Sequence, residues 1–346
     1  MRYKLLGASG LRVSELCLGA MTFGEAWGTG ASKAESRAMF DAYAEAGGNF
    51  IDTANFYTKG ESETFIGEFI QGERDHWVIA TKYSLDTSGC GEVNASGNHR
   101  KNMMQAVEAS LRRLQTDYID LLWLHVWDFT TPIEEIMRGF DDLVRQGKIL
   151  YAGISDTPAW IVASANTLAT LRGWTPFVGL QIEYSLRERT PERELLPMAA
   201  HFDIGVTAWS PLGGGVLTGK YNTLKEGDPP PGRLKTTKDR DRELAQLVMS
   251  IAEEIGRSPA QVAINWLRQR PQTIIPIIGA RTLPQLKDNL GCLDFTLSDE
   301  HLAQLTQASD IELGFPHRFL QGETVRQFAF GGALEKIDNH RVRNRS

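Results

Sequence analysis

Short apolar runs alternate along this chain with longer segments of helical periodicity. Eight runs read as strands: Leu16 to Ala20, Asn49 to Asp52, Trp77 to Thr81, Ile119 to His125, Leu150 to Ser155, Gly179 to Glu183, Gly205 to Trp209 and Thr273 to Ile277. The amphipathic segments between them carry start signals. Ser32 followed by Glu35 predicts a capping box. Thr131-Pro132 ahead of Glu134 predicts a helix with proline at its first position. Thr157-Pro158, Thr190-Pro191, and Ser258-Pro259 with Gln261 repeat the theme. Short buried strands alternating with helices make a parallel sheet. Eight such units with no polar linker predict the α/β class and a closed (β/α)8 TIM barrel, one domain over residues 1–346 with the barrel at about 14–309. A doubly wound sheet is the competing architecture. It would carry G-x-G-x-x-G after its first strand, whereas this first strand runs into G-A-M-T-F-G. Tyr3 to Val13 predicts a small hairpin turning near Ser9-Gly10.

Two long irregular stretches follow strands: Ser84 to Arg100, rich in Gly, Ser and Asn, and Gly213 to Lys238, with G-G-G and P-P-P. In a barrel both belong on the face where active sites form, so they are the expected substrate and cofactor loops. The tail from Ile311 carries Phe315, Phe319, Phe328 and Phe330. That much aromatic surface predicts that residues 310–346 pack back on the barrel, near the site.

Composition narrows the function class without naming it. The chain is 42% hydrophobic and 23% charged, ordinary for a soluble globular enzyme. Its net charge of -6 argues against a nucleic-acid partner. No apolar run nears the roughly 20 residues of a membrane span, and the opening residues lack a secretory apolar core. Cys17, Cys90 and Cys292 are odd in number and scattered, which fits a reducing, cytoplasmic setting and gives no metal-ligand spacing. The basic run Arg341, Arg343 and Arg345 reads as a solvated tail.

Candidate chemistry gathers at strand ends. I-D-T-A-N-F-Y places Asp52 five residues before Tyr57, V-I-A-T-K-Y offers Lys82, and Y-I-D-L-L-W-L-H ends on His125. Each group alone has a structural explanation, as an ion pair, a rim aromatic or a core imidazole. Together, at one barrel mouth, they suit proton transfer. An ammonium at Lys82 is expected to lower the Tyr57 phenol from its usual pKa of about 10. Asp52 would hold Lys82 charged, and His125 would hydrogen-bond an oxygen whose charge changes.

The chain resembles the aldo-keto reductases from about Tyr3 to about Ser309. The resemblance rests on eight ordered segments, among them L-C-L-G-A-M-T-F-G, I-D-T-A-N-F-Y-T-K-G-E-S-E, Y-A-G-I-S-D, G-L-Q-I-E-Y-S-L, A-W-S-P-L-G-G-G-V-L-T-G-K-Y and I-P-I-I-G-A-R-T-L-P-Q-L-K-D-N-L. It implies a catalytic tetrad of Asp52, Tyr57, Lys82 and His125, and a barrel that binds NADPH/NADP+ without a Rossmann domain. It maps Ala20, Met21 and Asp52 to the cofactor, and Ser155, Asp156 and Gln181 to its nicotinamide. Many relatives carry asparagine where this chain has Asp156. Trp209 falls where the family stacks an aromatic ring, and Ser210, Pro211, Leu212, Gly213, Gly214 and Lys220 fall at the pyrophosphate. Gly279, Arg281, Gln285, Asp288 and Asn289 fall at the adenosine end. Arg281, Gln285 and Asn289 are spaced to share one helical face, and arginine at a helix start suits a 2′-phosphate.

The implied activity is NADP(H)-dependent reduction of small-molecule aldehydes and ketones to alcohols. The W-S-P-L-G-G-G style resembles the branch holding bacterial reductases and potassium-channel β subunits. Two alternatives follow: a redox-sensing partner protein that turns over slowly, or an alcohol or sugar dehydrogenase running in reverse. Met21, Phe23, Trp27, Phe56, Tyr83, Trp127 and Phe129 are candidate pocket residues. No membrane or nucleic-acid partner is expected, and a homo-oligomer is compatible with the fold.

Overall fold

A computed structural model describes residues 1–89, 91–223 and 237–338. Cys90, the Pro229–Pro231 run and the terminal arginines Arg341, Arg343 and Arg345 lie outside the described residues.

Eight parallel strands close on themselves: β3 (Cys17–Gly19), β4 (Phe50–Asp52), β5 (Val78–Tyr83), β6 (Ile119–Leu124), β7 (Ile149–Ser155), β8 (Phe177–Glu183), β9 (Gly205–Trp209) and β10 (Ile274–Gly279), with β10 pairing β3. All eight expected strands are present, with ends displaced by up to two residues. A helix follows each strand. They are α1 (Lys33–Glu45), α2 (Glu61–Phe69), α3 (Arg100–Leu114), α4 (Ile133–Arg145), α5 (Ala159–Arg172), α6 (Leu195–His201), the pair α7 (Asp239–Glu254) and α8 (Pro259–Arg268), and α9 (Leu283–Leu290). α10 (Asp299–Ala308) follows the last unit.

The expected hairpin is β1 (Tyr3–Leu5) against β2 (Arg12–Ser14). It carries Leu6 and Val13 into the same apolar cluster as Phe50, Leu121, Trp123 and Ile275, inside the barrel. Ala8 N–H donates to the Asp203 carbonyl, just ahead of β9, and Lys4 Nζ to the Ile274 carbonyl at the start of β10. The hairpin therefore plugs the end where strands begin and leaves their C-terminal ends as the mouth. Trp123 fills the barrel's interior because β7 and β8 place glycine beside it. A Cβ on Gly153 would lie 2.3 Å from its ring and one on Gly179 2.7 Å. Overpacking of that kind costs roughly 1–3 kcal/mol.

The helix starts follow the sequence with three corrections. Ser258 and Gln261 form the full reciprocal box. Ser32 accepts from Glu35 N–H, but the Glu35 carboxylate does not reach back; it accepts from Leu283 N–H at the start of α9. Pro132 and Pro158 stand one position earlier than expected, as N-caps rather than first helical residues.

The tail departs further. α11 (His317–Gln321) and α12 (Glu323–Phe330) leave Phe315 84% and Phe328 81% exposed, with Phe319 and Phe330 exposed as well. The expectation that these rings are covered by the barrel is thus wrong. Polar links tie the described part of the tail to the body: Arg193 donates to the Glu312 carbonyl, and His317 pairs with Glu194.

Candidate active site

Asp52 is the last residue of β4, Lys82 lies near the end of β5, and His125 directly follows β6. Tyr57 opens a tight turn after β4. Thr58, Lys59 and Gly60 all take left-handed backbone (φ 45°, 55° and 92°), and the turn is held by Thr58 Oγ1 donating to the Phe23 carbonyl at 2.6 Å. Two non-glycine residues in that region cost energy that only surrounding structure repays. The reward is a phenol turned back toward the strand ends.

The four groups do converge. Lys82 Nζ donates to Asp52 Oδ2 at 2.5 Å, to the Thr53 carbonyl at 2.8 Å and to Tyr57 Oη at 3.1 Å. Asp52 Oδ1 accepts from Gln181 Nε2 at 2.9 Å. The His125 ring stands edge-on to Tyr57, centroids 5.9 Å apart. Lys82 and Asp52 are buried. Burial alone would lower the Lys82 ammonium, but the Asp52 carboxylate and Tyr57 outweigh it and raise it. A buried charge stays charged when it is paired in this way.

Tyr57 corrects the expectation. Burial pushes its phenol up, Lys82 pulls it down, and Asp52 and Asp156 push it up again; the balance lies above the ordinary value. The phenol is therefore held protonated. His125 is driven the other way, down to about 3, first by burial and then by Lys82. It is a neutral imidazole, and its Nδ1 is buried without a partner among the described residues.

The residues expected around a dinucleotide are spread along the same mouth. Ala20 N–H donates to the Asp52 carbonyl, tying β3 to β4, and Met21 is half-buried. Ser155 and Gln181 are buried in adjacent register, with Gln181 turned to Asp52. Asp156, at φ 42°, accepts from Trp209 Nε1 at 3.0 Å. Ser210 (φ 56°) begins a run in which Gly213, Gly214 and Gly215 are all left-handed. Their amides are used internally, on the Ser210 carbonyl, Ser210 Oγ and the Leu212 carbonyl. Pro211 is buried and Leu212 half-buried. Gly215 leaves room for the Lys220 amine, which a Cβ would meet at 2.6 Å. The segment thus offers a smooth, small-residue surface and a nearby cation, with the three glycine amides turned inward.

At β10 the expected helical face does not form. Arg281 precedes the N-cap Thr282 and is exposed, with its N–H on Gln285 Oε1. Gly279 is open: the nearest atom to a built Cβ, the Gly19 carbonyl oxygen, lies 3.9 Å away. Asn289 is buried and donates to the Gly279 carbonyl, while Asp288 is taken by Ser258 Oγ at 2.9 Å and Gln261. A dinucleotide fits this mouth in chemistry: an open glycine strand end, small residues and cations at Lys220 and Arg281.

Of the aromatic residues expected to line a pocket, Phe23 and Tyr83 belong to the core. Trp27, Phe56 and Phe129 are exposed, and Met21 and Trp127 half-buried. Trp27 packs on Phe56 and edge-on to Tyr57, centroids 5.6 and 6.3 Å away. Sequence reasoning missed three links: the Thr53 carbonyl on Lys82, Gln181 on Asp52, and Trp209 on Asp156. The last had a visible signal, in that Asp156 sits where an amide was expected.

A family model described as the Aldo/keto reductase family matches residues 15–310. The chain is 38% identical over 325 residues to norsolorinic acid reductase of Aspergillus flavus, covering 91% of this chain and 83% of that one. It is 40% identical over 333 residues to aldo-keto reductase ausK of Aspergillus calidoustus, covering 91% and 84%. It is 39% identical over 335 residues to an aryl-alcohol dehydrogenase (NADP+) of Phanerodontia chrysosporium, covering 91% and 87%. Likeness of this extent, reaching from the first barrel strand past the last, leaves one conclusion: the chain belongs to the aldo/keto reductase family and is a nicotinamide-dependent oxidoreductase.

Proposed function

We propose that the protein reduces aromatic aldehydes and ketones to alcohols with NADPH, with Tyr57 as the general acid. One observation carries this reading, the line from Asp52 through Lys82 to Tyr57. When bound, the reduced nicotinamide supplies the hydride. Lys82 fills an acceptor position on Tyr57 Oη with its own N–H, so the phenol's proton is left to point into the mouth. Tyr57 gives that proton to the carbonyl oxygen, and the ammonium stabilises the phenolate left behind. His125, neutral, donates a hydrogen bond to the same oxygen.

Ser155 and Gln181 would hold the carboxamide, Trp209 the ring, Ser210 to Gly214 with Lys220 the pyrophosphate, and Arg281 a 2′-phosphate. The aromatic rim of Trp27, Phe56 and Phe129 supports an aryl substrate, as do relatives named for aryl alcohols. The same residues run in reverse oxidise an aryl alcohol, with the phenolate as base. Cys17 and Cys292 are unpaired, which supports a reducing compartment such as the cytoplasm. Steady-state assay with an aromatic aldehyde tests the reading. Turnover with NADPH, faster than with an aliphatic aldehyde of equal size, is expected; absence of turnover with every aromatic carbonyl tried contradicts it.

A further inference from the structure

We propose that Asp156 is a positioning residue for this site: it locks the Trp209 ring in place across β8 and presents a negative charge to the Tyr57–Lys82 pair. The proposal rests on the reading of Tyr57 as proton donor and of Trp209 as a platform for the nicotinamide.

The geometry is specific. Asp156 follows β7 and Trp209 ends β9, so the two are separated by the whole of β8. Their 3.0 Å bond from Trp209 Nε1 to Asp156 Oδ1 spans that strand above Gln181, whose carbonyl accepts from Asp156 N–H. Asp156 adopts φ 42°, a left-handed conformation that aspartate tolerates better than most residues, with its side chain on Trp209. Thr157 Oγ1 braces the bend on the Ser155 carbonyl at 2.8 Å. A rotatable indole is thereby fixed by a charge-assisted hydrogen bond.

The charge has a second consequence. Tyr57 faces Lys82, Asp52, Asp156 and His125, and Asp156 is among the groups that hold its phenol up. Asp156 in turn faces Trp209 and Lys82, and Glu183 on β8 feels it while lying near Arg187 and Glu188. Asp156 is exposed to solvent on one side of the mouth, yet partial burial raises its carboxyl against the pull of Trp209 and Lys82. An asparagine would still accept from the indole through its amide oxygen but place no charge beside the pair.

Three variants of the full-length protein separate the two roles. Asp156→Asn keeps the acceptor and removes the charge. We expect NADP+ affinity, read from tryptophan quenching, to hold within about twofold, while the alkaline limb of the reduction profile moves to lower pH by roughly a few tenths of a unit. Asp156→Ala should show the same move and bind NADP+ about tenfold more weakly. Trp209→Phe should weaken NADP+ similarly with its limb unmoved. An unmoved limb in Asp156→Asn overturns the charge role. Wild-type affinity in Asp156→Ala overturns the lock. A wild-type protein with no alkaline limb overturns the Tyr57 reading as well; normal wild-type behaviour with unmoved variants overturns this proposal alone.

Discussion

Lys82 has three N–H donors, and the site uses all of them: on Asp52, on the Thr53 carbonyl and on Tyr57. That saturation orients the phenol, because an oxygen already accepting from the ammonium has its own proton to offer elsewhere. His125 cannot share the work as an acid. With its imidazole held down to about 3, it does not gain a proton until the medium is far more acid than its ordinary value of about 6.5. The reduction profile should therefore be flat from about pH 5 to neutrality and fall on the alkaline side as Tyr57 is deprotonated. A limb near pH 6.5 that His125→Gln abolishes would contradict this. The identities of Asp52, Tyr57, Lys82 and His125 were legible because few titratable groups sit at apolar strand ends. The direction of the Tyr57 shift was not, since it depends on how densely the fold packs around the hydroxyl.

Between strands, short side chains staple the mouth loops together. Asp128, after β6, accepts from Asn98 N–H in the loop after β5, and from Thr130 N–H, Thr131 N–H and Thr131 Oγ1 in its own loop. Burial pushes its carboxyl up, but these donors prevail and hold it at about 2. A depressed carboxylate contributes stability above its unfolded value of about 4 and loses it as pH falls toward 2. Asp128→Asn should lower Tm by a constant amount above about pH 4, and the gap should close between about pH 4 and pH 2. A gap that persists unchanged to the acid end would mean that the carboxylate's charge is not what holds the loops. Glu61 Oε2 does a similar job, accepting from Glu25 and Ala26 N–H beside Trp27. Such staples were invisible in the sequence, which shows Asp128 and Asn98 thirty residues apart. Helix existence was legible from periodicity, but the partner of Glu35 was not, because α9 approaches α1 only when the barrel closes.

At the scale of the molecule, closure turns eight local strand ends into one site. β3 pairs β10, so Ala20 and Gly279, far apart in sequence, border the same opening. The barrel could be counted from eight buried runs. The exposed aromatic tail could not, because apolar content alone does not say what covers it. Among the described residues no helix is long and apolar enough to cross a membrane. All of this architecture converges on one hydroxyl. The most direct test is a single turnover of Tyr57→Phe, mixed as its NADPH complex with an aromatic aldehyde and followed by loss of nicotinamide absorbance. The account predicts NADPH affinity within about twofold of wild type and a hydride-transfer rate lower by about a hundredfold or more, the usual worth of a positioned general acid. A variant that oxidises NADPH at the wild-type rate would contradict it.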